Sequence, residues 1–348
     1  MNEKILTDYL MQLRQIEVFI PEKDKQTVDE LQDDNTVIHF WKDSSEESGQ
    51  ILKVLIDATK TEQFLDKAER LFNEQENYRL VMFSVDATLP RVEKDKDEEI
   101  EKSETEEIKP WEEPLKKVRV SREELYTDIS NGVNLTSIYM AMVVLSTVVA
   151  ALGILRDNTA VVVGAMVIAP LLGPNVGLAL STTLADYKLG FESIKTNLAG
   201  LLVAFLISVF IGFVMNVDTD LYHVSSRIDV HLSDIALALA SGAAGGLAYT
   251  VGMSAAVIGV MVAVALLPPL VVTGLLAGDL QWELAFFSFL LLATNVICVN
   301  LAAVATFIIQ GVRPRTWYES KKAKRTNKIA LTIWITLVIV LGIIIYFV

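Results

Sequence analysis

VVGAMVIAPLLGP (162–174) and VIGVMVAVALLPP (257–269) are two apolar stretches that match without a gap. Gly164 aligns with Gly259, Met166 with Met261, Leu171 and Leu172 with Leu266 and Leu267, and Pro174 with Pro269, all at one offset (259 − 164 = 95). Each is apolar enough to belong to a membrane helix, which needs roughly 20 such residues to cross a hydrocarbon core of about 30 Å. Yet the first carries Pro170, Gly173 and Pro174, and the second Leu267 followed by Pro268 and Pro269. A proline inside a helix removes a hydrogen bond and clashes with an earlier carbonyl, at a cost of roughly 3 kcal/mol. In lipid, non-helical backbone survives only inside protein or beside a wet cavity. The reading predicts breaks at 170–175 and 267–269, near mid-membrane and facing each other. Paired breaks in matching halves are a pointer to a transport site; plain kinking is the competing explanation.

Working outward, about seven apolar segments appear, at 133–155, 159–184, 194–215, 232–250, 253–276, 284–309 and 329–348. One segment precedes and one follows each matched stretch, so the expected membrane domain is two three-helix units plus a final helix. Three crossings reverse the chain, so the second unit should be inverted relative to the first. Lys116, Lys117, Arg119, Arg122, Lys188 and Lys195, with the basic loop 310–328, fall on one side of that arrangement; only Arg156 and Arg227 fall on the other. This predicts a cytoplasmic N-terminus and an external C-terminus.

Intramembrane acidic residues are nearly absent, so neutral groups would have to recognise a ligand. Asn175 directly follows Pro174, and Asn295 and Asn300 lie in the sixth segment. Together with Pro170, Gly173, Pro174, Leu267, Pro268 and Pro269 they form the expected solute or ion site, built from amides and half-helix ends. Asn197, Ser208 and the run Ser181-Thr182-Thr183 add polar groups nearby. Gly164, Gly259, Gly242, Gly245 and Gly246 are expected to let helices pack closely. No catalytic constellation, metal-ligand spacing or cofactor motif is present, and Cys298, the one cysteine, reads as a packing residue.

The N-terminal part differs. Residues 1–91 alternate strand and helix patterns in the order β-α-β-β-α-β, a ferredoxin-like α+β arrangement. A first helix is expected at 22–31 and a second around Phe64, Leu65, Ala68 and Leu71. Residues 92–120 are an acidic, charged linker, and 121–309 form the transmembrane repeat domain. The net charge of −13 among 348 residues argues against nucleic acid as a partner. No secretory signal precedes the first domain, so it should stay where it was made.

The stretch LRDNTAVVVGAMVIAPLLGPNVGLALS (155–181) resembles the uncharacterised prokaryotic hydrophobic-domain membrane family, domain of unknown function 389. The likeness covers roughly 121–309. It implies a protein of the inner (plasma) membrane of a bacterium or archaeon, and no substrate. In architecture alone, three plus three inverted helices and a seventh are similar to the trimeric intracellular cation channels. The leading expectation is an oligomeric transporter or channel for a small polar solute or ion, with the lipid bilayer and one or two further copies of itself as partners. The alternative is a membrane-anchored sensor or scaffold whose N-terminal domain binds a ligand or partner.

Overall fold

The computed structural model describes residues 13–20, 31, 36–45, 49–72, 78–85, 88, 120–253, 266–314 and 332–345. The chain forms two compact units, divided between Glu123 and Glu124.

In the first unit, β1 (Leu13–Ile20), β2 (Val37–Ser45), β3 (Gly49–Asp57) and β4 (Arg79–Val85) form one sheet in the order β2-β3-β1-β4. All neighbours are antiparallel. Alternation along the strands puts Ile16 and Val18 of β1 opposite Val54 and Leu52 of β3. These four bury against Phe64, Ala68 and Phe72 on one face of α1 (Thr61–Phe72). The opposite sheet face carries the register pair Glu17 and Lys53, 3.7 Å apart. Of the helix expected at 22–31, only Leu31 is described, buried in the same core. Residues 92–119 of the expected linker lie outside the described residues.

The division falls within α2 (Arg122–Asn131). The second unit continues with α3 (Ser137–Leu155), α4 (Thr159–Ile168), α5 (Leu172–Leu184), α6 (Tyr187–Val214), a short α7 (Tyr222–Ser225), α8 (Leu232–Thr250), α9 (Leu267–Gly278) and α10 (Trp282–Ile309). A further apolar helix, α11, covers Thr332–Ile345. Among the described residues, α3, α6, α8 and α10 are each long and apolar enough to cross a membrane; α4 and α5, bent by 50°, make a fifth span if taken together. The first half of the expected fifth segment, 254–265, and the loop 315–331 lie outside the described residues.

The helix boundaries keep the interval found between the proline-rich stretches. Ser137–Leu155 and Leu232–Thr250, Leu172 and Leu267, and Tyr187–Val214 and Trp282–Ile309 are all separated by the same 95 residues (232 − 137 = 95). Backbone detail repeats too. Left-handed residues Asp157 (φ 50°) and Ala185 (φ 57°) correspond to Gly252 (φ 72°) and Leu280 (φ 63°). Beyond α3 the Asn158 N–H donates to Gly153 O at 2.9 Å, and beyond α8 the Met253 N–H donates to Ala248 O at 3.0 Å. Both are the six-residue closure of a Schellman motif. The packing is exchanged between the two sets: α5 lies on α6 and α10, and α9 lies on α10 and α6.

Ala169 breaks the helix because Pro170 follows it. The ring of a proline pushes the preceding residue out of the helical region, and Ala169 sits at φ −67°, ψ 120°. The break therefore occupies 169–171, slightly earlier than expected. Gly173, Pro174 and Asn175 belong to the first turn of α5, and Pro268 and Pro269 to the first turn of α9. There a missing N–H leaves no helical bond unmade. The prolines thus start helices instead of interrupting them.

Gly173 lies against the turn before α3: a Cβ added there would come 2.5 Å from Gly132 O. The first turn of α5 thus packs directly on the turn that precedes α3.

Small residues set the crossings. On α8, a Cβ at Gly242 would lie 2.7 Å from Val299 Cα of α10, and one at Gly246 would lie 3.1 Å from Thr306 Cβ. Gly245 is buried on the same helix. Gly164 does not pack as expected: among the described residues nothing comes within 4 Å of a Cβ there, and α4 leaves it exposed. Gly259 lies outside the described residues.

Candidate functional site

Three asparagines from three helices meet beside the break. Asn175 of α5 donates through Nδ2 to Leu171 O at 2.9 Å. Its Oδ1 accepts from Asn197 Nδ2 of α6 at 3.0 Å and from Asn300 Nδ2 of α10 at 3.1 Å. Asn300 Nδ2 also donates to Val296 O at 2.8 Å. All three are buried, with 1%, 8% and 0% of their surface exposed. Two backbone carbonyls, which can only accept, fix the orientation of Asn175 and Asn300; Asn197 then follows from Asn175. Asn197 Oδ1, Asn300 Oδ1 and the Oγ1 of neighbouring Thr196 are buried with no hydrogen-bond partner. Buried polar groups are ordinarily satisfied, so these oxygens are the atoms here able to accept a bond from a ligand or water.

Asn175 and Asn300 were expected in the site, and the structure brings them together. Asn197 was noted in its segment but not placed in the site; its neighbours Lys195 and Glu192 masked the helical spacing that turns it inward. Asn295 is buried but does not enter these amide bonds. Five residues at 3.6 per turn put it about 140° round α10 from Asn300. Pro170, Gly173 and Pro174 lie at or beside the break and position Asn175. Leu267, Pro268 and Pro269 belong to α9, where Pro269 O accepts from Thr273 Oγ1 at 2.7 Å and Ser288 Oγ at 2.9 Å.

Asn197 is ten residues into α6, about 15 Å from its start at 1.5 Å per residue. Lys195, in an exposed pair with Glu192 at 3.8 Å, lies within one turn of it. Asn197 thus lies nearer the start of α6 than its end. At the positions 95 residues away the chain has Leu270, Leu292 and Phe205. These three line a single apolar cavity of about 500 Å³ between α6, α9 and α10. Corresponding places in the two sets of helices thus hold a polar cluster and a greasy groove.

A second polar group closes the α3–α4 turn. His223 N donates to Asp157 Oδ1 at 3.0 Å, and its Nε2 lies 3.0 Å from Thr159 Oγ1. Arg227 Nη1 donates to His223 O at 2.6 Å. Burial, then the Arg227 charge, hold His223 below its ordinary value of 6.5, against a smaller opposing pull from Asp157. The folded state therefore favours neutral imidazole. Stability from this group is complete above about pH 6.5 and declines as pH falls from there towards the lower folded value. Unfolding midpoints of the purified protein in detergent at pH 7.5 and 5.5 should show that decline, and His223→Gln should flatten it. Equal slopes in the two proteins would remove His223 as the cause.

Apolar helices of spanning length, a proline-broken helix and a buried amide cluster, joined to an antiparallel α+β unit, define the class: a polytopic helical membrane protein. The chain belongs to the family described as Domain of unknown function (DUF389), whose model matches residues 166–301. All three asparagines fall within that match. The chain is similar to an uncharacterized protein of Methanocaldococcus jannaschii, 37% identical over 339 residues, which cover 97% of this chain and 100% of the relative. No solved structure matches.

Proposed function

We propose that the protein is an oligomeric membrane transporter or channel for a small polar solute or ion, with its site at the Asn175–Asn197–Asn300 cluster. The observation that carries this reading is the set of unpartnered buried oxygens at that cluster, beside the break between α4 and α5. An anchor has no use for a buried polar cluster that an apolar one could replace at lower cost. The 95-residue correspondence of helix ends, left-handed residues and packing supports two inverted three-helix repeats, the architecture in which paired breaks form a solute path. The antiparallel strand order supports a ferredoxin-like N-terminal unit, and the lysine and arginine asymmetry supports a cytoplasmic location for it.

The test is flux into proteoliposomes holding the full chain, with a panel of ions and small neutral solutes; mass photometry of the detergent sample gives the copy number, expected to be two or three. Uptake above protein-free vesicles for at least one solute is expected. No uptake across the panel would favour the anchored sensor instead. For orientation, an alkaline phosphatase fused after Val348 should be active, as its folding requires the external side; activity confined to a cytoplasmic reporter at that position would reverse the assignment.

A further inference from the structure

The sign of the ligand follows from which atoms of the cluster are already engaged. Every amide nitrogen is already engaged: Asn175 Nδ2 donates to Leu171 O, Asn197 Nδ2 to Asn175 Oδ1, and Asn300 Nδ2 to both Asn175 Oδ1 and Val296 O. What remains unpartnered is Asn197 Oδ1, Asn300 Oδ1 and Thr196 Oγ1. Both amides donate to one atom, Asn175 Oδ1, which brings the two side chains together where α5, α6 and α10 meet. Flipping either amide would set its oxygen against Asn175 Oδ1, which keeps the arrangement from inverting.

Amide oxygens present the negative ends of neutral dipoles. They suit a hard cation that exchanges part of its hydration shell for carbonyl oxygens, as in channel filters. Divalent ions favour carboxylates among their ligands. The described residues hold no group of three or more acidic, histidine or cysteine side chains able to bind a metal. The nearest acid on α6, Glu192, is 47% exposed and paired with Lys195. The first turn of α5 carries partial positive charge and would favour an anion. At the cluster, however, two of the atoms left without any hydrogen bond are amide carbonyl oxygens, which can only accept and would repel an anion.

We propose that this cluster binds a partly dehydrated monovalent cation, sodium or potassium, through Asn197 Oδ1 and Asn300 Oδ1. The inference rests on the transport reading above and names the solute class of the same site. A bound water alone could also satisfy these oxygens, and it would leave no dependence on the cation.

The experiment uses the full chain, wild type and Asn197→Ala. That substitution removes one free oxygen and keeps the Asn175–Asn300 bond. In detergent at constant chloride, sodium or potassium should raise the unfolding midpoint of the wild type relative to N-methylglucamine, and the rise should be lost in Asn197→Ala. In proteoliposomes, labelled sodium or rubidium should enter while chloride and glycerol do not, and Asn197→Ala should reduce entry to the level of protein-free vesicles. Entry of chloride or glycerol that depends on Asn197, without cation entry, would overturn the cation assignment and leave the transport reading standing. Cation effects that survive in Asn197→Ala would overturn this site. No cation shift and no flux of any solute would bring down both readings.

Discussion

Asn175→Leu alone should destabilise the membrane unit by about 1–3 kcal/mol, the cost of a buried amide left without a partner, since it orphans Asn197 and takes one of two bonds from Asn300. Adding Asn197→Leu and Asn300→Leu should then restore most of the loss. Asn175 Oδ1 is the shared acceptor for the other two side chains, so its removal leaves the Asn197 amino group unpaired and Asn300 with its bond to Val296 O alone. Replacing all three removes the polar groups together, which can be nearly neutral or stabilising. The chain already holds the apolar counterpart: Leu270, Leu292 and Phe205 stand at the corresponding positions 95 residues away. Denaturant titration in detergent of the wild type, the single and the triple variant measures the effect. Losses that simply add across the three positions would show that the asparagines do not act as one unit. A stable triple variant without flux would mean that the cluster serves function at some expense of stability.

The crossing of α6 and α9 should tolerate substitution least. A Cβ at Gly212 would lie 2.1 Å from Leu275 O, and one at Gly278 would lie 2.1 Å from Val209 O. One at Gly274 would lie 2.3 Å from Ser208 Cβ. In all three cases backbone, or a side-chain atom directly attached to it, occupies the space. Relief requires moving one helix away from the other. Overpacking typically costs 1–3 kcal/mol and occasionally more; Gly212→Ala and Gly278→Ala should each reach about 3 kcal/mol in the same titration. Gly164→Ala is the control: no described atom lies within 4 Å of its Cβ, so stability should hold or rise slightly with the better helix former. Equal effects at Gly164 and Gly278 would contradict this packing.

Much of the helical layout was legible from local chemistry. Apolar run length separated the membrane helices from the charged N-terminal part, and the strand and helix patterns there pointed to its α+β class. The ungapped match of 162–174 with 257–269 carried the 95-residue interval that recurs in helix boundaries and left-handed turns. Pro170 announced the break, because a proline constrains its predecessor whatever surrounds it. Local rules could not say that Pro174, Pro268 and Pro269 begin helices: a proline is costly inside a helix and tolerated in its first turn, and the placement of that turn depends on the whole segment.

The site itself was decided by tertiary structure. Asn175 and Asn197 are 22 residues apart, and Asn175 and Asn300 are 125 apart. Nothing in their neighbouring sequence distinguishes Asn300, which joins the cluster, from Asn295, which faces elsewhere on the same helix. Helical periodicity sorts residues by face, but only the packing of α5, α6 and α10 determines which faces meet. The same packing put the break beside the turn before α3 and left Gly164 open. A sequence determines a helix through contacts within a few residues; a buried polar cluster exists only where distant faces close on one another and exclude water.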